Sequence, residues 1–241
     1  MRLLREYIRQ IIKESEGAPG NLAAVTFLEG NRRCAVIYDP KALERVPKLM
    51  QRMEKDWMGL QASLCDNVIK GFIDVAPGGG KCNGAWEVYR SAGPGMGKIV
   101  YSVGYALTPN GRLMSDRLSV SDTANSAWMK AYNKSQFKKL PLDDDDAHNP
   151  DGTIKYDHPN HTEDPGDDCS LYRGPNGDEN PEDYPHLQYA YEGSGEEQAL
   201  LDSLRQNHER ELRRMFPERG DEVEGLIRSC GGPFFSRHYT T

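Results

Sequence analysis

An α+β fold, with a central mixed sheet flanked by helices, is what this 241-residue chain predicts, and three observations predict it. Short apolar runs of strand length recur through the first half. One of them leads through a glycine-rich turn directly into an apolar helical pattern. A strongly amphipathic helix then follows a long acidic, loop-rich stretch near the end.

Taken in order, residues 1–16 predict an amphipathic N-terminal helix, most simply one docked on the domain; Glu6 and Glu14 dilute its basic face against a membrane surface. Leu4, Ile8, Ile11 and Ile12 share one helical face, and Arg2, Arg5, Arg9 and Lys13 share another. Gly17, Pro19 and Gly20 stop it. Two strand-like runs follow, Ala23–Leu28 and Cys34–Tyr38, and Gly30-Asn31 between them predicts a hairpin. Leu43, Val46, Leu49 and Met53 predict a helix over 41–56, and Val68–Val75 another strand. After the loop Pro77-Gly78-Gly79-Gly80-Lys81, a strand opens at Trp86, where Trp86 and Val88 alternate with Glu87 and Tyr89.

Gly93, Gly95 and Gly97 then mark a turn, and Ile99, Val100, Val103 and Leu107 take helical spacing over 97–107. Pro109-Asn110-Gly111 closes that helix, and Arg112–Ser115 supplies a short strand. Ser121 is placed to cap a helix carrying Ala124, Ala127, Trp128, Ala131 and Tyr132. From Leu142 to Pro185 the chain is rich in Asp, Pro, Gly and Asn, beginning with Asp143-Asp144-Asp145-Asp146, and reads as a solvated insertion. Ser194 and Glu197 form a capping box for a helix over 195–215, whose stripe is Leu200, Leu201, Leu204, Leu212 and Met215. Pro233-Phe234-Phe235 and Tyr239 are expected to pack back on the body. The predicted organisation is a leader over 1–16, a folded domain over 22–140, a polar insertion over 141–193, and a C-terminal helix and tail over 194–241.

Composition narrows the function. A net charge of −7 gives no general nucleic-acid footprint and no attraction to anionic lipid. An apolar fraction of 37% and a mean hydropathy of −0.74 place part of the chain in solvent. No apolar run reaches membrane-spanning length, and no secretory signal with an apolar core is present, which predicts a soluble cytoplasmic protein. Five scattered cysteines, Cys34, Cys65, Cys82, Cys169 and Cys230, favour free thiols in a reducing compartment.

The glycine turn carries the chemistry. A strand-to-helix junction with three side chains removed turns main-chain N–H groups, and the positive end of a helix dipole, toward one point where a phosphate can sit. A tight structural turn is the plainer alternative. Strands, glycine turn, helix, strand and helix over residues 22–140 resemble the GNAT acyltransferase fold, whose Gln/Arg-x-x-Gly-x-Gly/Ala loop binds the pyrophosphate of acetyl-coenzyme A. Arg90-Ser91-Ala92-Gly93-Pro94-Gly95 fits that pattern letter by letter. The register Ala92-Gly93-Pro94-Gly95-Met96-Gly97-Lys98 lacks the leading Gln/Arg but sets its glycines better against the helix, and is preferred.

The resemblance implies an acyl-coenzyme A-dependent N-acyltransferase acting on an unidentified amine, with acetyl-coenzyme A as cosubstrate. It assigns the cofactor contacts to Val88, Arg90, Gly93, Gly95, Met96, Gly97 and Lys98. Glu87 is the candidate base, set against the alternative of an exposed strand carboxylate. Where the family often has Asn-x-x-Ala-x-x-x-Tyr, this chain has Ser121-x-x-Ala124-x-x-x-Trp128, and an indole cannot protonate a departing thiolate. Tyr132, one turn on, is the candidate acid. The leader, ending Ile12-Lys13-Glu14, resembles the cleaved leaders of proteins packaged into tailed-phage heads. Leu113-Met114-Ser115-Asp116-Arg117 resembles uncharacterised GNAT-like phage proteins. Both imply residence in the host cytoplasm or a virion, and a non-catalytic scaffold that binds a host protein as the alternative role.

Two rivals use the same residues or the insertion. Ala92-x-x-x-x-Gly97-Lys98 approaches a nucleotide-binding P-loop, but Ile99 stands where a magnesium-holding Ser/Thr belongs. Asp157, His158, His161, Asp164 and Cys169 can be drawn as a metal set, and Asn149, Asp151 and Gly152 as a calcium loop lacking its first acid at Ala147. A solvated acidic loop is the simpler account of both.

Overall fold

The structure, a computed structural model, describes residues 22–44, 65–78, 82, 84–116, 120–134, 137–142 and 184–232. The leader, most of the helix expected over 41–56, the acidic stretch with its metal and calcium candidates, and the aromatic tail lie outside the described residues.

The α+β expectation holds as a seven-stranded mixed sheet flanked by helices. β1 (Ala23–Glu29) and β2 (Arg32–Tyr38) form the expected hairpin, with Gly30 at φ +62° in its turn. α1 (Pro40–Leu43) starts under the Asp39 cap, whose Oδ1 accepts from the Lys41 N–H at 2.9 Å. β3 (Ile69–Pro77) and β4 (Trp86–Ala92) extend the antiparallel ladder. After the glycine turn come α2 (Gly97–Leu107), β5 (Arg112–Met114), α3 (Asp122–Asn133) and β6 (Lys138–Pro141). β7 (Tyr189–Glu192), α4 (Glu197–Met215) and α5 (Gly220–Ser229) complete it.

The strand order is β1-β2-β3-β4-β5-β7-β6, and β4–β5 is the parallel pair. α2 is the crossover that a parallel pair requires. β7, drawn from residues read as insertion, enters the sheet between β5 and β6. Its four residues, Tyr-Ala-Tyr-Glu, are too short a period-two signal to stand out beside an acidic loop. α5 was not foreseen either. Its apolar residues Val223, Leu226 and Ile227 are few, but all are buried.

Two apolar layers enclose the sheet. One joins Ala24, Ala35, Ile37, Ile73, Val75 and Val88 to Ile99, Val100 and Val103 of α2 and to Leu200, Leu201 and Leu204 of α4. The other joins Val25, Val36, Tyr38 and Phe72 to α5 and to Leu212 at the end of α4. α4 runs beside β1, where Arg205 donates to Thr26 Oγ1 at 2.9 Å and Asn207 to the Leu22 carbonyl at 2.5 Å. It thereby covers the edge strand that would otherwise be open to pairing. The expected capping box forms only in part: Glu197 accepts from the Ser194 and Gly195 N–H groups at 3.1 and 2.9 Å, but the helix starts at Glu197 itself and its N-cap, Glu196, makes no side-chain cap bond.

The expectation of free thiols is corrected. Cys65, just before β3, is disulfide-bonded to Cys230 at the C-cap of α5, and Cys82 is also disulfide-bonded. The linked cysteines are 165 residues apart, yet their Cα atoms are 5.1 Å apart because α5 folds back over the sheet. Spacing along the chain carries no record of that return. Among the described residues Cys34 is the free cysteine. No described helix is long and apolar enough to cross a membrane.

Candidate functional site

The site is built where β4 leaves its neighbours and hands over to α2. β4 pairs with β5 at Trp86↔Leu113 and Glu87↔Met114 only, and β5 ends there while β4 runs on to Ala92. On the other side, the β3–β4 register passes from Val75↔Val88 to Asp74↔Arg90. One residue, Tyr89, is therefore extra. It is a one-residue bulge, which bends its strand and re-aims the main chain. Beyond Glu87↔Met114 no described β5 residue is laddered to β4, and the bulge lies where that pairing stops.

The glycine turn closes the far end of β4. The Met96 N–H donates to the Gly93 carbonyl at 2.8 Å, and the Val100 N–H to the Met96 carbonyl at 3.0 Å. Gly95 sits at φ +71°, a left-handed conformation that explains its glycine. A Cβ at Gly93 would stand 2.6 Å from Val100 Cγ2, so that glycine permits close packing of turn on helix. Gly95 and Gly97 are exposed, and a Cβ on either would meet nothing within 4 Å. Met96, the N-cap, supplies no side-chain hydrogen bond to the helix. The first N–H groups of a helix lack intrahelical acceptors, so the positive end of the α2 dipole lies at this turn, beside the room at Gly95 and Gly97.

The remaining candidates divide. Val88 is buried in the α2 layer and Glu87 is half-buried at the last β4–β5 pair. Lys98 is half-buried in the first turn of α2. Arg90 does not turn toward the glycines. Its Nε and an Nη donate to Asp74 Oδ2 at 2.8 and 2.6 Å, and it pairs with Glu29 at 3.1 Å, on the sheet face opposite α2. This disposition suits the second glycine register, which needs no leading Arg side chain.

Tyr132 is half-buried, with its ring 5.7 Å from that of Tyr189 and the Lys139 ammonium 4.1 Å above it. Its described ring contacts are with β6 and β7, not with the turn. Trp128 is 2% exposed, edge-on to Tyr101 at 5.3 Å and stacked on Tyr191 at 5.5 Å. It is a core residue. Ile99 is 1% exposed in the α2 layer, so no hydroxyl stands at the magnesium position of a P-loop.

Sequence reasoning missed the polar row on the other face. Glu29, Cys34 and Asp74 bring potential ligand atoms within 4.8 Å of one another. Arg90 and Arg32, at 2.6 and 3.4 Å from Asp74, already supply the cations there. Burial pushes the Asp74 carboxyl up, and the two guanidiniums pull against it. Burial first, then Asp74 and Glu29, push the Cys34 thiol up to about 12. In sequence these residues are isolated polar letters in separate strands, and only the ladder aligns them. No family model, curated protein or solved structure matches the chain.

Proposed function

We propose that this protein has a GNAT-like fold and binds an acyl-coenzyme A, transferring the acyl group to an amine. The observation that carries the reading is the end of the β4–β5 pairing at Glu87↔Met114 together with a glycine turn at the N-terminus of α2 that has room at Gly95 and Gly97. A diphosphate at that turn meets the N–H groups of Gly95, Gly97 and Lys98, while the Met96 N–H is held by the Gly93 carbonyl. The pantetheine arm then runs along β4 beyond its pairing with β5, and the edge of β4 at Val88 faces the thioester. In the reaction the amine nitrogen attacks the carbonyl carbon while a main-chain N–H supports the oxyanion. The C–S bond breaks, its electron pair leaves on sulfur, and the amine proton passes to Glu87 directly or through water. Tyr132 remains the proposed proton donor to sulfur.

Calorimetry with acetyl-coenzyme A, coenzyme A and ATP–magnesium tests the reading. Coenzyme A binding that Gly95→Glu weakens by about 100-fold or more is expected, since the variant adds strain at φ +71° and sets a carboxylate where the diphosphate lies. Binding of ATP alone would remove the proposal. The burial of Trp128 favours a second reading, a ligand-binding scaffold without turnover that serves in a phage head or against a host protein. Thermal stabilisation by coenzyme A with no acetyl transfer to a panel of amines would select it.

A further inference from the structure

We infer that the Asp74–Arg90 ion pair is a positioning device that fixes the bulge at Tyr89 and, with it, the β4 edge offered to the thioester. The inference rests on the acyltransferase reading for the thioester and on the ladder alone for the bulge. If β4 continued regularly from Val75↔Val88, Tyr89 would stand opposite Asp74 and Arg90 opposite Ile73. Arg90 would then face the apolar layer under α2, where Ile73, Val100 and Val103 are at most 1% exposed. A guanidinium cannot be buried there unpaired. With one residue inserted, Arg90 comes to the opposite face, level with Asp74, and both its donors find Oδ2. Side-chain period two makes this choice all-or-none, since a slip of one residue exchanges the faces.

A second observation separates this role from simple stabilisation. Asp74 is fully buried, yet its other oxygen, Oδ1, has no hydrogen-bond partner. Two packed apolar side chains in place of such a pair are often as stable or more so, which makes stability alone a weak account of it. A buried pair that specifies register is the better-attested use. Arg32, 3.4 Å from Oδ2 and 4.5 Å from the Tyr89 ring centre, ties the extra residue itself to the same carboxylate.

The test compares the full-length wild type with Asp74→Leu/Arg90→Met, which removes both charges together and leaves neither unpaired. Cross-strand Hα contacts by NMR should join residues 74 and 90 in the wild type, and shift toward 74 and 89 in the double variant. Calorimetry should show the wild type preferring acetyl-coenzyme A over coenzyme A by about 5-fold, the scale of one net hydrogen bond. The folded double variant should keep its coenzyme A affinity and lose that preference. A folded double variant with the 74–90 contact and the preference intact would overturn the inference. So would a wild type that binds both ligands equally, as regards the thioester. Should the double variant not fold, Arg90→Lys, which keeps the charge but not the two-point contact, carries the same readouts with a partial loss expected. A wild type that binds neither ligand would instead sink the acyltransferase reading, while the NMR contacts would still decide what fixes the bulge.

Discussion

The two faces of the sheet are built on different principles, and neighbouring residues of β3 show it. Ile73 faces a layer that is apolar from strand to helix, packed against Gly104 of α2, where a Cβ would lie 2.6 Å from Ile73 Cδ1. Asp74 faces the layer under α5, which carries a row of polar side chains at one end, Cys34, Asp74 and Arg90, with Glu29 and Arg32 beside it. The first face holds the helix that presents the glycine turn. The second holds the pair that selects the strand register. Apolar packing is tolerant of detail and supplies stability, while a buried charge pair tolerates few arrangements and supplies a choice among them.

The largest effect expected from breaking this contrast is at the polar face. Asp74→Ala takes from the half-buried Arg90 guanidinium the carboxylate that both its donors share, leaving the exposed Glu29 as its carboxylate partner, and should destabilise the fold by about 4 kcal/mol. The double variant without either charge should fall within about 1 kcal/mol of the wild type or exceed it. Urea titration checks both. Equal losses in the single and double variants would mean that the polar face is held by packing, as its counterpart is. At the apolar face Ile73→Ala should cost about 3 kcal/mol through lost burial and the cavity left beside α2. No second-site change to a polar neighbour should restore it, because no charge was unbalanced.

The sequence makes the first face legible and hides the second. Helix 97–107 is predicted with both ends correct because Gly97 and Pro109-Asn110-Gly111 bracket an apolar stripe. The hairpin at Gly30 and the cap at Ser121 are equally local, each needing three or four residues. The glycine turn belongs to this class, and its exposed Gly95 and Gly97 lie where its spacing placed them. What could not be read is what pairing creates. The bulge at Tyr89 exists only relative to β3, and the partners of Asp74 come from β2 and β4. The disulfide joins residues brought near by α5. β2 misleads in a further way, because Cys34–Tyr38 is buried on both faces and alternation cannot tell which side each residue takes.

Cys34 gives the smallest and most selective probe of the polar face. Its thiol is raised from an ordinary value near 9 to about 12, first by burial and then by Asp74 and Glu29. A group whose folded-state value lies above its unfolded one favours the native state while both forms are protonated, and that contribution fades as the unfolded chain ionises first. Stability from this residue is thus fully present below pH 9 and is lost progressively between about 9 and 12, with a limiting slope of about 1.4 kcal/mol per pH unit. Denaturation measured at successive pH values from 8 to about 10.5 should show the wild type weakening more steeply than Cys34→Ala, the two curves differing in slope and not only in height. Parallel curves would place Cys34 in a setting as open to charge as solvent, and would remove the distinction drawn between the two faces at that strand.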